Sequence, residues 1–510
     1  MSAVRQGLSA DLAVELVAGT SAPASPAGQA SPALTAFLEE TDWVRALALW
    51  LGGSATALAR DRDRLLERLG RDIATLDELL GEQLDEILHH PRFQSLEASW
   101  RGLAFLVEHA ETREVARVRI LDLGWRELAR DLESAIEFDQ SQIFRKVYSE
   151  QFDMPGGEPF GLLIGDYRVG RRLGPDHRVD DVATLRGMAQ VAAAAFAPFV
   201  AGAHPEILGL DDFRELAEPF ALQQKGPEFT AWHRFRETED ARFVGLVLPS
   251  MLLRTPYDND GAWNHGFLYR EEVSNPGGRA LLWGNAAYAF GAVVIQAFRN
   301  HGWLADIRGT RQSEDGVLLE EGGLVTGLPL YCFATDRHER AARFSTEVVI
   351  TDRREQELTE LGLIPLCRCQ DTEWSAFYSN PSVQKPRQNA DREAARANAR
   401  LSSMLQYMLC VSRFAHYLKL LSREKLGSLT DPRELEKDLQ RWLQKYTNIR
   451  DNADYRDKAR HPLREARAVI TELPGKPGSY RCEMYLRPHF QLEQMSAAIK
   501  LETEILSQSS

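Results

Sequence analysis

The residues equipped for chemistry are few and widely spaced. Asp166, His177 and Asp258 are the best acid–base candidates for a cytosolic α/β enzyme, yet no spacing unites them. His89 and His90 are metal-binding types. Adjacent side chains on a helix point about 100° apart, however, which suits chelation poorly. A histidine pair at a helix end, facing the C-terminal dipole, is the simpler reading. Cys367 and Cys369 have no second Cys or His pair at zinc-like spacing, so they read as two thiols in a strand or loop. Asp258-Asn259-Asp260-Gly261 reads as a turn rather than a cation loop. The nearest approach to a phosphate-binding loop is PGKPGS, Pro474 to Ser479, which lacks the first glycine and the strand-to-helix setting. Gly161, Gly165 and Gly170 are too far apart for a dinucleotide fingerprint, and neither G-x-S-x-G nor H-E-x-x-H occurs. Met404 and Met408 lie on an apolar helical stripe and read as core. No nucleophile, base and orienter assemble. The expectation is a protein without catalysis, cofactor or metal.

Composition narrows the class. The 510 residues are 44% hydrophobic and 26% charged, an ordinary globular mixture long enough for two to four domains. A net charge of -13 and a pI near 5.5 argue against a general nucleic-acid binder. Five cysteines, an odd and sparse set, fit reduced thiols in a cytosol better than a disulfide framework. The N-terminal apolar stretch is interrupted by Asp11 and Glu15 and lacks the core of a signal peptide. Leu281 to Phe298 is long enough to consider as a membrane span, but Asn285, Gln296 and many small residues favour a buried helix. A cytoplasmic protein without membrane insertion follows.

The elements that must position any site read as mixed α/β. Residues 1 to about 32, rich in Ala, Ser, Gly and Pro, read as a flexible arm. A long helix from about Thr56 to His90 carries one apolar stripe, Leu65 to Leu88 at three- and four-residue spacing, and Pro91 breaks it. Its charge run Arg60 to Arg64 reads as a solvated face. Val115 to Leu123 alternates like a strand, and Trp125 to Glu150 reads as helix. Pro159 to Tyr167 reads as a fully buried strand and Asp180 to Ala203 as an Ala-rich helix. Phe243 to Leu248 is a further strand, Ala280 to Asn300 a buried helix, and strands recur near Cys332 and at Ser345 to Thr351. Glu373 to Asp391 marks a junction. The longest helix, Arg392 to about Lys425, would span about 50 Å. A helix from Asp431 to about Thr447 leads to a C-terminal ribbon, Ala466 to Leu473 and Tyr480 to Arg487. Tyr480, Cys482, Met484 and Leu486 share one face of it. A two-stranded ribbon is marginal in water, so further strands, of this chain or another copy, must complete it. The expected division is 1–55, 56–150, 151–385 and 386–510.

Several long strings resemble the large subunit of the bacterial type VI secretion contractile sheath, a VipB/EvpB-like family. They include EQLDEILHHPRFQSLEASWRGLAFLV (Glu82 to Val107), PGGEPFGLLIGDY (Pro155 to Tyr167) and TEVVITDRREQELTELGLIPL (Thr346 to Leu366). NARLSSMLQYMLCVSRFAHYLKLLSREKLGS (Asn398 to Ser428) and the terminal HPLREARAVITELPGKPGSYRCEMYLRPHFQLE follow in the same order. The resemblance runs from about residue 70 to 505. It implies a multi-domain, contractile-tail-sheath-like α/β fold and a structural role: heterodimers with a small sheath subunit, stacked as a helical tube around an inner tube, that contract to drive it into a target cell. Further copies of the chain, the inner-tube protein, a baseplate and, through the small subunit, an unfoldase ATPase are the implied partners. In that frame Ala466, Ala468, Ile470, Tyr480, Cys482, Met484 and Leu486 are candidates for intersubunit strand pairing. Leu76, Leu80, Leu84 and Ile87 would either dock the small subunit or pack within the chain. His489, Glu493, Lys500, Glu502 and Glu504 would face the inner tube unless the tail is disordered. Ser250 stands where the family leads one to expect an arginine, and the first 70 residues are not family-typical. A phage-tail-like sheath protein and an α/β enzyme are the alternatives.

Overall fold

Pro91 separates the two long N-terminal helices. Arg62–Leu88 (α1) stops before it, and Pro91–Ala110 (α2) begins on it, where a missing N–H breaks no helical bond. The computed structural model describes residues 32–52, 61–110, 116–171, 179–222, 224–258, 267–274, 278–336, 338, 341–370, 372–386, 399–425, 432–450, 453–472, 480–489 and 499–505. The N-terminal arm before residue 32, His177, the turn at 474–479, most of the Asp258–Gly261 turn and Glu493 lie outside them. The chain divides into two compact units, residues 1–84 with 259–269, and residues 85–258 with 270–510. In the first, Trp50 packs against Phe37 at 5.2 Å and its indole N–H donates to Asp72 at 3.0 Å. No residue of α1 is buried.

The second unit is built on one six-stranded sheet. Leu163–Val169 (β1) leads through the helix Asp181–Ala195 (α3) to Phe199–Ala203 (β2), and then to Val244–Leu248 (β3). The helix Ala287–His301 (α4) follows, then Leu324–Val325 (β4), Ile364–Arg368 (β5) and Ser375–Phe377 (β6). The strand order is β1-β2-β3-β5-β6-β4, parallel from β1 to β5 and antiparallel beyond. Every residue of β2 and β3 is buried, as in a parallel sheet covered on both faces. Alternation sorts them. Phe199, Ala201, Ala203, Val244, Leu246 and Leu248 pack into a core with α3, whereas Val200 and Val247 join α2 and α4. At Gly102 of α2 an added Cβ would lie 2.4 Å from the Tyr288 ring, so glycine lets α2 and α4 approach closely.

Sequence and structure part company where burial or backbone pairing overrides local pattern. The helix read over Asp180 to Ala203 ends at Ala195. Phe196 takes a left-handed conformation (φ 49°), and the apolar run that follows is β2. β1 is an edge strand, with Asp166 and Arg168 exposed, and not the fully buried strand expected. Residues 116–123 join no ladder; Arg117 and Arg119 pair with Glu158. The helix read over Trp125 to Glu150 stops at Ser134 and resumes as short and π-helical turns to Asp153. Leu282–Gly284 is a strand before α4. Ser345 to Thr351, read as a strand, makes only an isolated bridge from Thr346 to Met251 before Thr351 caps the helix Asp352–Glu360; the strand here is Ala341–Phe344. The long helix read from Arg392 is not continuous. After helical residues 399–402, the Ser403 carbonyl accepts from Ser382 N–H, and Leu405 N–H donates to Asn380, before Leu405–Lys425 (α5) begins. Its 21 residues span about 32 Å rather than about 50 Å.

Two buried polar groups lock this unit. Arg254 donates to Glu97 at 2.9 Å and to both oxygens of Glu271, which also accepts from Tyr257 N–H at 2.9 Å. His89 lies 3.2 Å from the same carboxylate, so its partner is Glu271 rather than a helix dipole or a metal. Burial opposes the Glu271 charge, but Arg254 and the Tyr257 N–H hold it below the ordinary carboxylate range. The ion pair of this stretch is thus made by Arg254, while Ser250 is a small buried residue. Farther along, His416 on α5 donates from Nε2 to the Ala195 carbonyl at 3.0 Å, tying α5 to the end of α3. Burial lowers its pKa to about 4.

Replacing Arg254 with Met strands two carboxylates and should cost about 3–5 kcal/mol in denaturant unfolding; Lys should recover only part, lacking the planar fork. Because the folded pKa of His416 lies below that of a free imidazole, the unfolded chain takes up the proton first. Its contribution is therefore complete above about pH 6.5 and lost as pH falls toward 4, on the order of 3 kcal/mol. His416→Gln keeps a donor for Ala195 and should flatten that part of the stability profile in thermal melts.

Candidate functional site

The C-terminal module forms a small α/β sandwich. The helix Pro432–Gln444 (α6) precedes three antiparallel strands, Leu463–Glu472 (β7), Tyr480–Pro488 (β8) and Ile499–Ile505 (β9), ordered β7-β8-β9. Cross-strand pairs set the register: Ala466 with Leu486, Ala468 with Met484, Ile470 with Cys482. One face of these pairs packs on the helices. Cys482, Met484 and Leu486 are fully buried against Val411, Phe414 and Leu418 of α5 and Leu435, Leu439 and Leu443 of α6. Trp303 stacks on Phe414 at 4.3 Å and completes that core from the α4 side. The other face carries charge, including Arg487 with Glu465 at 3.2 Å. Burial pushes the Cys482 thiol up to about 12, so it packs as a small apolar group.

The two edges of this sheet differ. On β7, Leu463 exchanges backbone bonds with Tyr446 and Asn448. Beyond a bulge at residues 463–465 the outward groups meet α6. Gln440 Nε2 donates to the Ala466 carbonyl at 2.9 Å, the Ala468 N–H donates to Gln440 Oε1 at 3.1 Å, and the Ile470 N–H donates to Glu436 Oε2 at 3.0 Å. On β9, Lys500, Glu502 and Glu504 pair in register with Tyr485, Glu483 and Arg481, and no further strand joins among the described residues. Antiparallel ladders alternate bonded and non-bonded pairs. Since Ala466, Ala468 and Ile470 turn their polar groups from β8, those of Cys482, Met484 and Leu486 turn toward β9. The backbone groups of Lys500, Glu502 and Glu504 consequently point away from β8.

The remaining sequence candidates are dispersed. Leu76 and Leu80 lie on α1, 43% and 49% exposed; Leu84, half-buried, and Ile87, 44% exposed, continue the same stripe. Asp166 accepts from Ser99 at 2.5 Å and Asp258 pairs with Arg270 at 3.6 Å, with no bond between the two carboxylates. No group of three or more His, Cys, Asp and Glu able to hold a metal occurs among the described residues, and no described helix is long and apolar enough to cross a membrane. Sequence reasoning missed β9, although Ile499, Leu501 and Ile505 alternate with Lys500, Glu502 and Glu504. It also missed Glu436 and Gln440, whose only signal is their i,i+4 spacing on an amphipathic helix.

The comparisons with known proteins agree with a polymer-forming role. The EvpB/VC_A0108 tail sheath N-terminal domain family matches residues 70–384, and the EvpB/VC_A0108 tail sheath gpW/gp25-like domain family matches residues 394–505. The type VI secretion system sheath protein TssC1 of Pseudomonas aeruginosa is 37% identical over 470 residues, which cover 91% of this chain and 90% of that protein. The chain belongs to the VipB/EvpB family of type VI secretion tail-sheath proteins and is a structural sheath subunit.

Proposed function

We propose that the chain is the large partner of a cytoplasmic heterodimer with a small sheath subunit. These heterodimers stack with further copies into a helical tube around an inner tube. Contraction of the tube, anchored at a baseplate, propels the inner tube and its effectors toward a target cell. An unfoldase ATPase then acts on the contracted tube through the small subunit. The β9 edge, where no further strand joins among the described residues, carries this reading. An incoming strand gains a row of backbone hydrogen bonds there, about 0.5–1.5 kcal/mol net each. Such a joint holds neighbours together while the packing between rings changes. Ala466, Ala468, Ile470, Tyr480, Cys482, Met484 and Leu486 form the body of the joint in this reading, and strands of neighbouring subunits complete it. Lys500, Glu502 and Glu504, with Glu493, face the inner tube.

The exposed stripe of α1 supports docking of the small subunit over packing within the chain, since Leu76, Leu80 and Ile87 stay exposed among the described residues. The helix is long enough to offer a partner helix a continuous apolar seam.

Glu502→Pro removes one outward donor from β9 while sparing its bonds to β8. Tubes should vanish from negative-stain micrographs of chain co-expressed with its small partner, while the heterodimer is still recovered; Glu502→Gln should leave tubes intact. Leu76→Asp with Leu80→Asp should lower co-purification of the small subunit at least about tenfold, as for loss of apolar anchors from an interface centre. Undiminished recovery would assign the stripe another role.

A further inference from the structure

The two edges of the terminal sheet are not equivalent, and the difference is built from side chains that neither the strand pattern nor the core requires. An edge strand offers alternating free N–H and C=O groups to any passing strand. On β7, the amide of Gln440 presents one donor and one acceptor to Ala466 and Ala468, the same pair that a residue of a neighbouring parallel strand would present. One helical turn away, Glu436 takes the Ile470 N–H. Leu463 is already occupied by the backbone of Tyr446 and Asn448. From Leu463 to Ile470 the β7 edge is therefore blunted by its own module. On the β9 side no further strand joins among the described residues.

We propose that Gln440 and Glu436 are an edge lock: they occupy β7 as a surrogate strand and so restrict intersubunit strand addition to the β9 side, giving the joint a single polarity. The inference rests on the sheath reading above and deepens it by naming residues that determine specificity. A sheet open on both sides would accept strands on either edge, and a polymer built that way would branch or terminate. With one side closed, each module accepts a strand on one side only. The lock is made of hydrogen bonds and not of packing, so it can be removed with little change to the core. Leu435, Leu439 and Leu443 hold α6 in place independently.

The test uses the full-length chain co-purified with its small sheath partner and the double variant Gln440→Ser/Glu436→Ser, whose side chains are too short to reach β7 and add no apolar surface. Hydrogen–deuterium exchange should be at least about tenfold faster at the Ala468 and Ile470 amides than in the wild type. Sedimentation should show concentration-dependent association of a complex that is discrete when wild type. Glu436→Gln keeps an acceptor and should match the wild type in both measurements. Unchanged exchange at these amides overturns the lock. Faster exchange in a complex that stays discrete overturns its role in excluding strands. If the double variant does not fold, Glu436→Ser alone, which frees only Ile470, is read by the same two outcomes. A wild-type complex that never forms tubes counts against the sheath reading instead, and leaves the exchange measurement standing.

Discussion

A β-sheet cannot end without leaving a row of backbone donors and acceptors at its last strand. These must be paired, covered or left for another chain. The C-terminal module of this sheath subunit meets that constraint differently on its two sides. On β7 the groups are taken by a short backbone segment and by two side chains of α6. On the β9 side no further strand joins among the described residues. The rest of the module explains how so small a sheet keeps its shape. Its inner face is anchored by Cys482, Met484 and Leu486 against two helices, with an aromatic cluster around Trp303 and Phe414 behind them. A three-stranded sheet packed on helices is stable where a lone hairpin is not.

The terminal sheet is tied to the body of the protein through α5. α5 underlies the sheet and is tied to the central sheet region at both its start and its middle. At the start, Leu405 bonds to Asn380 and Ser403 to Ser382; in the middle, His416 bonds to Ala195. Each bond lies in a buried setting, where an unpaired partner would be costly. The Arg254 cluster joins α2 to the strand Met251–Arg254 and to Glu271.

The elements most legible in the sequence were those with a clean period and clear punctuation. α1 was set by its apolar spacing and by Pro91, and the β7–β8 ribbon by alternation from Tyr480 to Arg487. Legibility failed where burial removed the contrast between periods. β2, FVAGA, has no polar face to reveal a two-residue repeat, so it merged with the Ala-rich helix before it. The break before α5 was invisible because it is imposed by a distant segment, Asn380 to Ser382, and by no proline or glycine. The apolar residues of β9 were in plain alternation, yet they followed a proline and read as a tail. The i,i+4 spacing of Glu436 and Gln440 gave no hint of what they meet. Their role depends on which strand α6 lies against, and this is a tertiary fact.

The joint itself is open to direct observation. An electron cryomicroscopy map of tubes assembled from the full-length chain and its small sheath partner would show the terminal sheet in place. A strand contributed by another chain, hydrogen-bonded on the β9 side of the sheet or in the place of β9, is the expected result. Tubes in which the sheet stays at its own three strands, with no ladder between subunits, would contradict a strand-edge joint.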